Sequence, residues 1–400
     1  MLKRKVLGFI ALAALMPFIL VLTGCGNSST EIPAEPNTDW YTSNPSAIKF
    51  FIGSADELAG LAQLVNDGTD DFSGDEIFLT ADLDLSAYSG DKGWTPIGNY
   101  DDNLPFSGTF EGGNRSLSGL FINGNDDNVG LFGYVKDGSI KELSLLNVDI
   151  GGKDVVGSIA AYGANIIISN CSATGKISGD KRVGGLIGYI TGSISKVIGC
   201  FATCSTSGMD FVGGLVGYIN NCEINNCYTT GEISGLGSDG GVGGLIGGSM
   251  NSQISKCYAT GKVTGNKMTG GLSGYITGGK IEYSVAINFA IVCKTGTESS
   301  FGRVVGSTAG SATLDTNLGL WQMPLPDDSP SSVGDTTVNG GHFYKENLND
   351  KDVFADPTSG LGWNFSVNPI SWKMGNSSYP PPVLYWQPES SYPELPSHLE

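Results

Sequence analysis

Along most of this chain, apolar and polar residues alternate in short runs broken by Gly, Ser, Asn and Asp. In "CYATGKV" at 257–263, Cys257, Ala259 and Val263 share one parity while Tyr258, Thr260 and Lys262 share the other. That alternation predicts a strand with one buried face. The pattern also recurs: "VGGLIGYI" at 183–190 returns as "VGGLVGYI" at 212–219, "VGGLIGGS" at 242–249 and "TGGLSGYI" at 269–276, with "VGLFGYV" at 129–135. Anchored on the second glycine of the phrase, copies fall at Gly130, Gly157, Gly185, Gly214, Gly244 and Gly271, with a degenerate copy near Gly306; the intervals are 27, 28, 29, 30, 27 and 35 residues. A second phrase rides at fixed phase inside each copy: "IKEL" 140–143, "ISNC" 168–171, "VIGC" 197–200, "INNC" 224–227, "ISKC" 254–257 and "IEYS" 281–284.

No copy holds a helical pattern of about ten residues, which excludes helical solenoids and βα repeats. Two or three short strands cannot bury their own apolar face, but stacked copies can. The expected fold is all-β, a right-handed parallel β-helix, with coils ~4.8 Å apart. Glycines then serve the corners, where a residue without Cβ takes positive φ or lets backbones approach. The ends need caps against edge pairing. Ser54 and Glu57 form a capping-box pattern, and Leu58, Leu61, Leu64 and Val65 make one face of a short N-terminal helix ending near Gly68. "IFLTADLDL" at 77–85 reads as the first coil strand. After about residue 310 the repeat decays; a Pro-, Asp-, Ser- and Gly-rich loop (324–341) leads to Trp363, Trp372 and Trp386, read as a closing cap. The tryptophans are expected to fill a core, with a sugar-stacking platform as the alternative.

These copies resemble the GLUG motif, a bacterial surface repeat of adhesin-like proteins, also found beside the peptidase domain of IgA-cleaving metalloproteases. The resemblance covers about 129–310, and the flanks "ADELAGLAQLVNDG", "WTPIG", "FSGTF" and "YPPPVLYWQ" are similar to segments that accompany such repeats. It implies a non-catalytic surface role in binding or adhesion.

At the N-terminus, Lys3, Arg4 and Lys5 precede an apolar run from Val6 to Leu22 and then "LTGC" at 22–25. This is a secretory leader, and its end resembles a lipobox, which implies cleavage before Cys25 and acylation there. The expected organisation is therefore a leader at 1–24, a lipidated tether at 25–40, an N-terminal cap with first coils at 41–125, the repeat at 126–310 and a C-terminal cap at 311–400. The expected location is the bacterial cell surface, on the outer membrane if the cell is Gram-negative, with the membrane as partner through Cys25. Removing Lys3, Arg4 and Lys5 takes the net charge from −18 to −21. So acidic a chain repels phosphate backbones, which excludes nucleic-acid partners.

Little catalytic chemistry is legible. HExxH is absent, the only histidines being His342 and His398, and no GxSxG elbow or P-loop occurs. "GLGSDG" at 235–240 fits GxGxxG but has no βαβ unit around it, so it reads as a turn. No metal or cofactor is called for. Asp70–Asp71, Asp101–Asp102 and Asp126–Asp127 are adjacent carboxylates in polar turns, expected to be solvated, with glycosidase chemistry or Ca²⁺ binding as alternatives. Apart from Cys25, seven cysteines remain. Cys171, Cys200, Cys227 and Cys257 share one repeat position with Leu143 and Ser284, hence an inward column of small buried hydrophobes, in which a disulfide between adjacent coils is the alternative. Cys204, Cys222 and Cys293 lie off it. The next position, Ser172, Phe201, Tyr228, Tyr258 and Val285, points the other way. Phe201, Tyr228 and Tyr258 are thus the candidate ligand-binding stripe, for host or bacterial glycans or surface proteins; the plainer reading is ladder stacking or cover by a loop. A carbohydrate-active enzyme on the same scaffold and a structural envelope component are the rival functions.

Overall fold

The computed structural model describes residues 35–44, 46–293, 300–326, 337–358, 360–366 and 371–400. The leader, Cys25 and most of the tether lie outside the described residues. From Ala34 onward the chain is one compact unit, a parallel β-solenoid of about 9 turns. One coil shows the plan: strands at Asp154–Gly157, Ala160–Ala164, Ile167–Ser169 and Ser172–Ser178. Each pairs in parallel with its counterpart in the next coil, as in Val156↔Val183, Tyr162↔Tyr189, Ile168↔Val197 and Ala173↔Ala202. Residues of like position therefore stack into columns, and the inward columns, such as Ile140, Ile168, Val197, Ile224 and Ile254, are buried.

The register corrects the repeat anchor. Gly157 pairs with Gly184, and that column continues through Gly213, Gly243, Gly270 and Gly302. Gly157 therefore occupies the first-glycine column. Gly130 sits where the register shifts, between Val129, bridged to Val156, and Phe132, paired with Ala160. The last coil counts from Gly302, since Gly306 lies further on, in the strand Val305–Ala309. Spacing alone cannot separate two adjacent glycines; hydrogen-bond register does. The second-glycine column is sterically closed: a Cβ on Gly214 would lie 2.2 Å from the Gly244 carbonyl oxygen.

Each coil turns before its "C" position on a residue in left-handed conformation: Glu142, Asn170, Gly199, Asn226, Lys256, Tyr283 and Thr316, with φ between 50° and 63°. The next residue closes the corner. Cys171 N–H donates to Cys200 Sγ (3.4 Å), Cys200 N–H to Cys227 Sγ (3.5 Å), Cys257 N–H to Ser284 Oγ (3.2 Å) and Ser284 N–H to Asn317 Oδ1 (3.1 Å). In return the Cys200 thiol donates to the Ile168 carbonyl of the preceding coil and Asn317 Nδ2 to that of Ile281. The column is buried as expected, but it is more than small hydrophobes. It is a polar ladder satisfying corner N–H groups that burial would otherwise orphan, which is why Cys, Ser and Asn interchange there. Cys171, Cys200, Cys204, Cys222, Cys227 and Cys257 are free thiols, and burial raises those of Cys171, Cys200 and Cys227 far above the ordinary range.

Three helices occur among the described residues: α1 (Asp39–Thr42), α2 (Ala55–Asn66) and α3 (Lys351–Ala355). The expected N-terminal helix is α2. Glu57 N–H donates to Ser54 Oγ (3.2 Å), and the Glu57 carboxylate takes the Gly53 N–H (2.7 Å), one residue earlier than a standard box. Leu58, Leu61, Leu64 and Val65 are buried. Ahead of it, Lys49–Ile52 adds a strand that pairs with Glu76–Leu79. At the other end, Gly341–Phe343 pairs with Leu318–Leu320, and buried Phe354 of α3 packs on Phe343 at 6.0 Å.

Substituting Gly214→Ala is expected to destabilise the chain by about 3 kcal/mol, the upper range for overpacking against backbone. Gly90→Ala, where a Cβ meets nothing within 4 Å, is expected to stay within about 0.5 kcal/mol. Urea midpoints of the two variants check the contrast.

Candidate functional site

Two aromatic columns run across the coils, and the structure treats them differently. The stripe read from the sequence is in register, Ser172↔Phe201↔Tyr228↔Tyr258↔Val285. Its rings stack flat, at 5.0 Å for Phe201–Tyr228 and 4.8 Å for Tyr228–Tyr258, each pair 5° from parallel. As a ligand-contact surface, however, the stripe requires correction. Phe201, Tyr228 and Tyr258 are 3%, 0% and 1% exposed.

The C-terminal segment covers them. Trp363 Nε1 donates to the Tyr283 carbonyl (2.8 Å), Trp372 Nε1 to Asn226 Oδ1 (2.9 Å) and Trp386 Nε1 to the Gly199 carbonyl (2.9 Å). The three tryptophans thus step back along the coils, from that of Tyr283 past that of Lys256 to those of Asn226 and Gly199, as a lengthwise strap. Tyr228 donates its hydroxyl to Gln387 Oε1 (2.7 Å), and Tyr258 donates to the Pro382 carbonyl (2.9 Å) beside Tyr379. With both faces dry and both hydroxyls bonded, these rings serve cohesion. The tryptophans fill this core, as expected.

The second column went unread, although it is written in the repeat phrase as the Y of "GLxGY". Tyr134, Tyr162, Tyr189 and Tyr218 occupy successive coils in register, and Tyr275 resumes the column after Gly248. Tyr100 joins at the N-terminal side, 4.5 Å from Tyr162 and 5.2 Å from Tyr134 by ring centroid. Successive rings meet edge to face, at 5.5, 5.1 and 5.7 Å. Tyr134 is buried, Tyr162, Tyr189 and Tyr218 are half-buried, and Tyr100 is exposed. The missed signal was parity: Tyr189 and Tyr218 sit one residue before an inward Ile, so they must face outward.

A left-handed residue stands seven positions upstream of four of these tyrosines. Val155, Arg182, Phe211 and Met268 precede Tyr162, Tyr189, Tyr218 and Tyr275, all with φ between 49° and 62°. Bulky residues in this conformation cost roughly 1 kcal/mol or more each. The Arg182 guanidinium lies 5.5 Å from the Tyr189 ring centre, and Phe211 meets Tyr218 edge-on at 4.9 Å. Phe211 also fills the place opposite Gly248, where a Cβ would come within 2.6 Å of its ring.

Beyond Tyr100 the column opens onto a cleft of about 550 Å³ lined by Lys92, Asn99, Tyr100, Asp101, Asp126 and Asn128 among others. Two of the three adjacent carboxylate pairs contribute to this cleft, and most of the six acids are engaged. Asp126 pairs with Lys92 (2.7 Å); Asp127 takes the Asp154 N–H (3.1 Å) and lies 3.8 Å from Lys153; Asp102 accepts from Asn99 (2.8 Å). Asp70 accepts from Tyr41 (2.7 Å) and Asp71 from the Ser73 N–H (3.0 Å), away from the cleft. Among the described residues no group of three or more His, Cys, Asp or Glu is placed to hold a metal ion. His342 stacks on Trp321 at 3.9 Å, while His398 Nε2 donates to the Ile287 carbonyl (2.8 Å).

Residues 238–264, one complete coil, match the family model described as the GLUG motif. That coil carries the GLUG motif. Halomucin of Haloquadratum walsbyi is 30% identical over 171 residues, 40% of this chain and 2% of halomucin. A provisionally named Gly-rich membrane protein of Evansella cellulosilytica is 36% identical over 96 residues, 22% of this chain and 11% of that protein. The chain thus spans a small fraction of the curated relatives it matches. A crystal structure from Bacteroides ovatus, provisionally named an immunoglobulin A1 protease, superposes with a TM-score of 0.54 at 19% identity, covering 85% of this chain and 93% of that one. That likeness establishes a shared fold.

Burial, with Tyr189, Tyr100 and Tyr134 adding to it, pushes the Tyr162 phenol up to about 12 from 10.0, and burial also raises Tyr134 and Tyr218. These hydroxyls stay neutral donors through the physiological range. A folded pKa above the unfolded one contributes stability that is intact below the unfolded pKa and lost as pH rises through the folded one. The urea midpoint is therefore expected to hold up to about pH 10 and fall between about 10 and 12, together with phenolate absorbance. A flat midpoint across that window would contradict the burial of these rings.

Proposed function

We propose that this chain is a bacterial surface lipoprotein, lipidated at Cys25, that binds extended glycan chains along the Tyr100–Tyr162–Tyr189–Tyr218 column without cleaving them. The observation that carries this reading is the column itself. It offers one half-exposed ring per coil, at 5.1 to 5.7 Å between neighbours from Tyr162 to Tyr218, about the rise of one pyranose in an extended β-1,4-linked chain. Ring faces suit the apolar faces of sugars, and neutral phenol hydroxyls suit their oxygens. The polar cleft beyond Tyr100 continues the track. Repetition over coils favours weak contacts summed along one chain. Surface placement draws support from the leader pattern and from a relative named as a membrane protein.

The name of the Bacteroides ovatus structure raises a protease as a rival, but the zinc motif HExxH is missing from this sequence. A glycosidase would draw on the cleft carboxylates, of which Asp126 is held by Lys92.

The test is a panel of neutral and acidic oligosaccharides presented to the full chain in detergent, with chain length followed in parallel. Binding without shortening is expected, and shortening would overturn the reading. Tyr189→Ala combined with Tyr218→Ala should weaken binding by about 10- to 100-fold, while the paired Phe substitutions retain most of it. Unchanged affinity in the alanine variant would remove the column from the account.

A further inference from the structure

The left-handed position seven residues before four of the tyrosines is where one coil differs from the next: Val155, Arg182, Phe211 and Met268 precede rings that stay the same. A constant platform with a varied rim places ligand selection in the rim. Arg182 is the charged member of the set. Its guanidinium stacks on Tyr189 and is close enough to Tyr218 to lower that phenol's pKa against the effect of burial. It is half-buried.

On a chain with 40 acidic and 22 basic residues, a stacked arginine has carboxylates in excess to pair with. Lys92, Lys141, Lys153, Lys196 and Lys280 all do so. Among the described residues Arg182 makes no such pair. Asp154 and Asp180 lie on the same turns and form no ion pair with it, and Asp210 spends Oδ1 on the N–H groups of Asp239 and Gly240. The stacked face of the guanidinium is fixed, and its edge carries a planar fork of donors suited to a bidentate anion.

Resting on the glycan reading, we propose that Arg182 is the specificity-determining residue of the column and that its ligand carries an anionic sugar, a uronate carboxylate or a sulfate ester, at the place of Tyr189 and Tyr218. The strained backbone at Arg182 is then the means by which the fork is held over the ring.

The experiment is calorimetric titration of the full chain in detergent with three β-1,4-linked probes: oligomannuronate, its methyl ester and a sulfated cello-oligosaccharide. The acid or the sulfated probe is expected to bind about 10-fold or more tighter than the neutral ester, the scale of one charge-assisted contact. Whichever of the two is preferred identifies the anion. Arg182→Gln should bring the anionic probe to the affinity of the ester and leave the ester unchanged; Arg182→Lys should restore only part, lacking the fork. Equal binding of all three by the native chain would overturn this inference and leave the glycan reading standing. Arg182→Gln weakening the ester as much as the acid would also overturn it, because Arg182 would then act only by holding Tyr189. Binding of none of the three would overturn both.

Discussion

A parallel ladder pairs a residue with its counterpart one coil away, and every distinctive feature of this molecule depends on that register. Because Tyr162 must lie beside Tyr189, and Cys171 beside Cys200, each position of the repeat becomes a column with a single environment. A column amplifies whatever its position demands. Where two backbones touch, the demand is for glycine, as at Gly214. Where a buried corner N–H needs an acceptor, the demand is for sulfur or oxygen, and the sequence meets it with Cys, Ser or Asn.

The two aromatic columns show how one chemistry takes two fates. Phe201, Tyr228 and Tyr258 lie flat on one another, and flat stacks present a broad apolar side that water leaves readily. The strap supplies Trp363, Trp372 and Trp386 to that side and bonds both hydroxyls. Tyr162, Tyr189 and Tyr218 alternate edge and face, carry Arg182 and Phe211 on their flank and remain partly open to water. Cohesion belongs to the first column, and the second is the one we propose for recognition.

Periodicity made the solenoid, its coil length and the inward cysteines legible, because these follow from local alternation and a fixed interval. The pairing of Phe201 with Tyr228 and Tyr258 was legible for the same reason. Their burial was not: Tyr228 meets Gln387 across 159 positions and Trp386 meets Gly199 across 187. A segment with no repeat of its own leaves no periodic trace of where it docks. At Gly157 the interval alone does not separate the first-glycine column from the second, since 27 and 28 residues both fit the repeat. The tyrosine column is legible in the repeated phrase, since counting parity from Ile190 or Ile219 places Tyr189 and Tyr218 outside. The left-handed turns at Val155, Arg182 and Phe211 had no sequence signal, as such residues rarely adopt that conformation.

The most direct measurement is amide hydrogen exchange of the full chain with and without bound β-1,4-linked oligomannuronate. Protection is expected in the segments 155–162, 182–189 and 211–218, with no change in the strap from Trp372 to Gln387. Protection of the strap and the Phe201–Tyr228–Tyr258 strands, with the tyrosine column unaffected, would contradict the account and return recognition to the buried stripe.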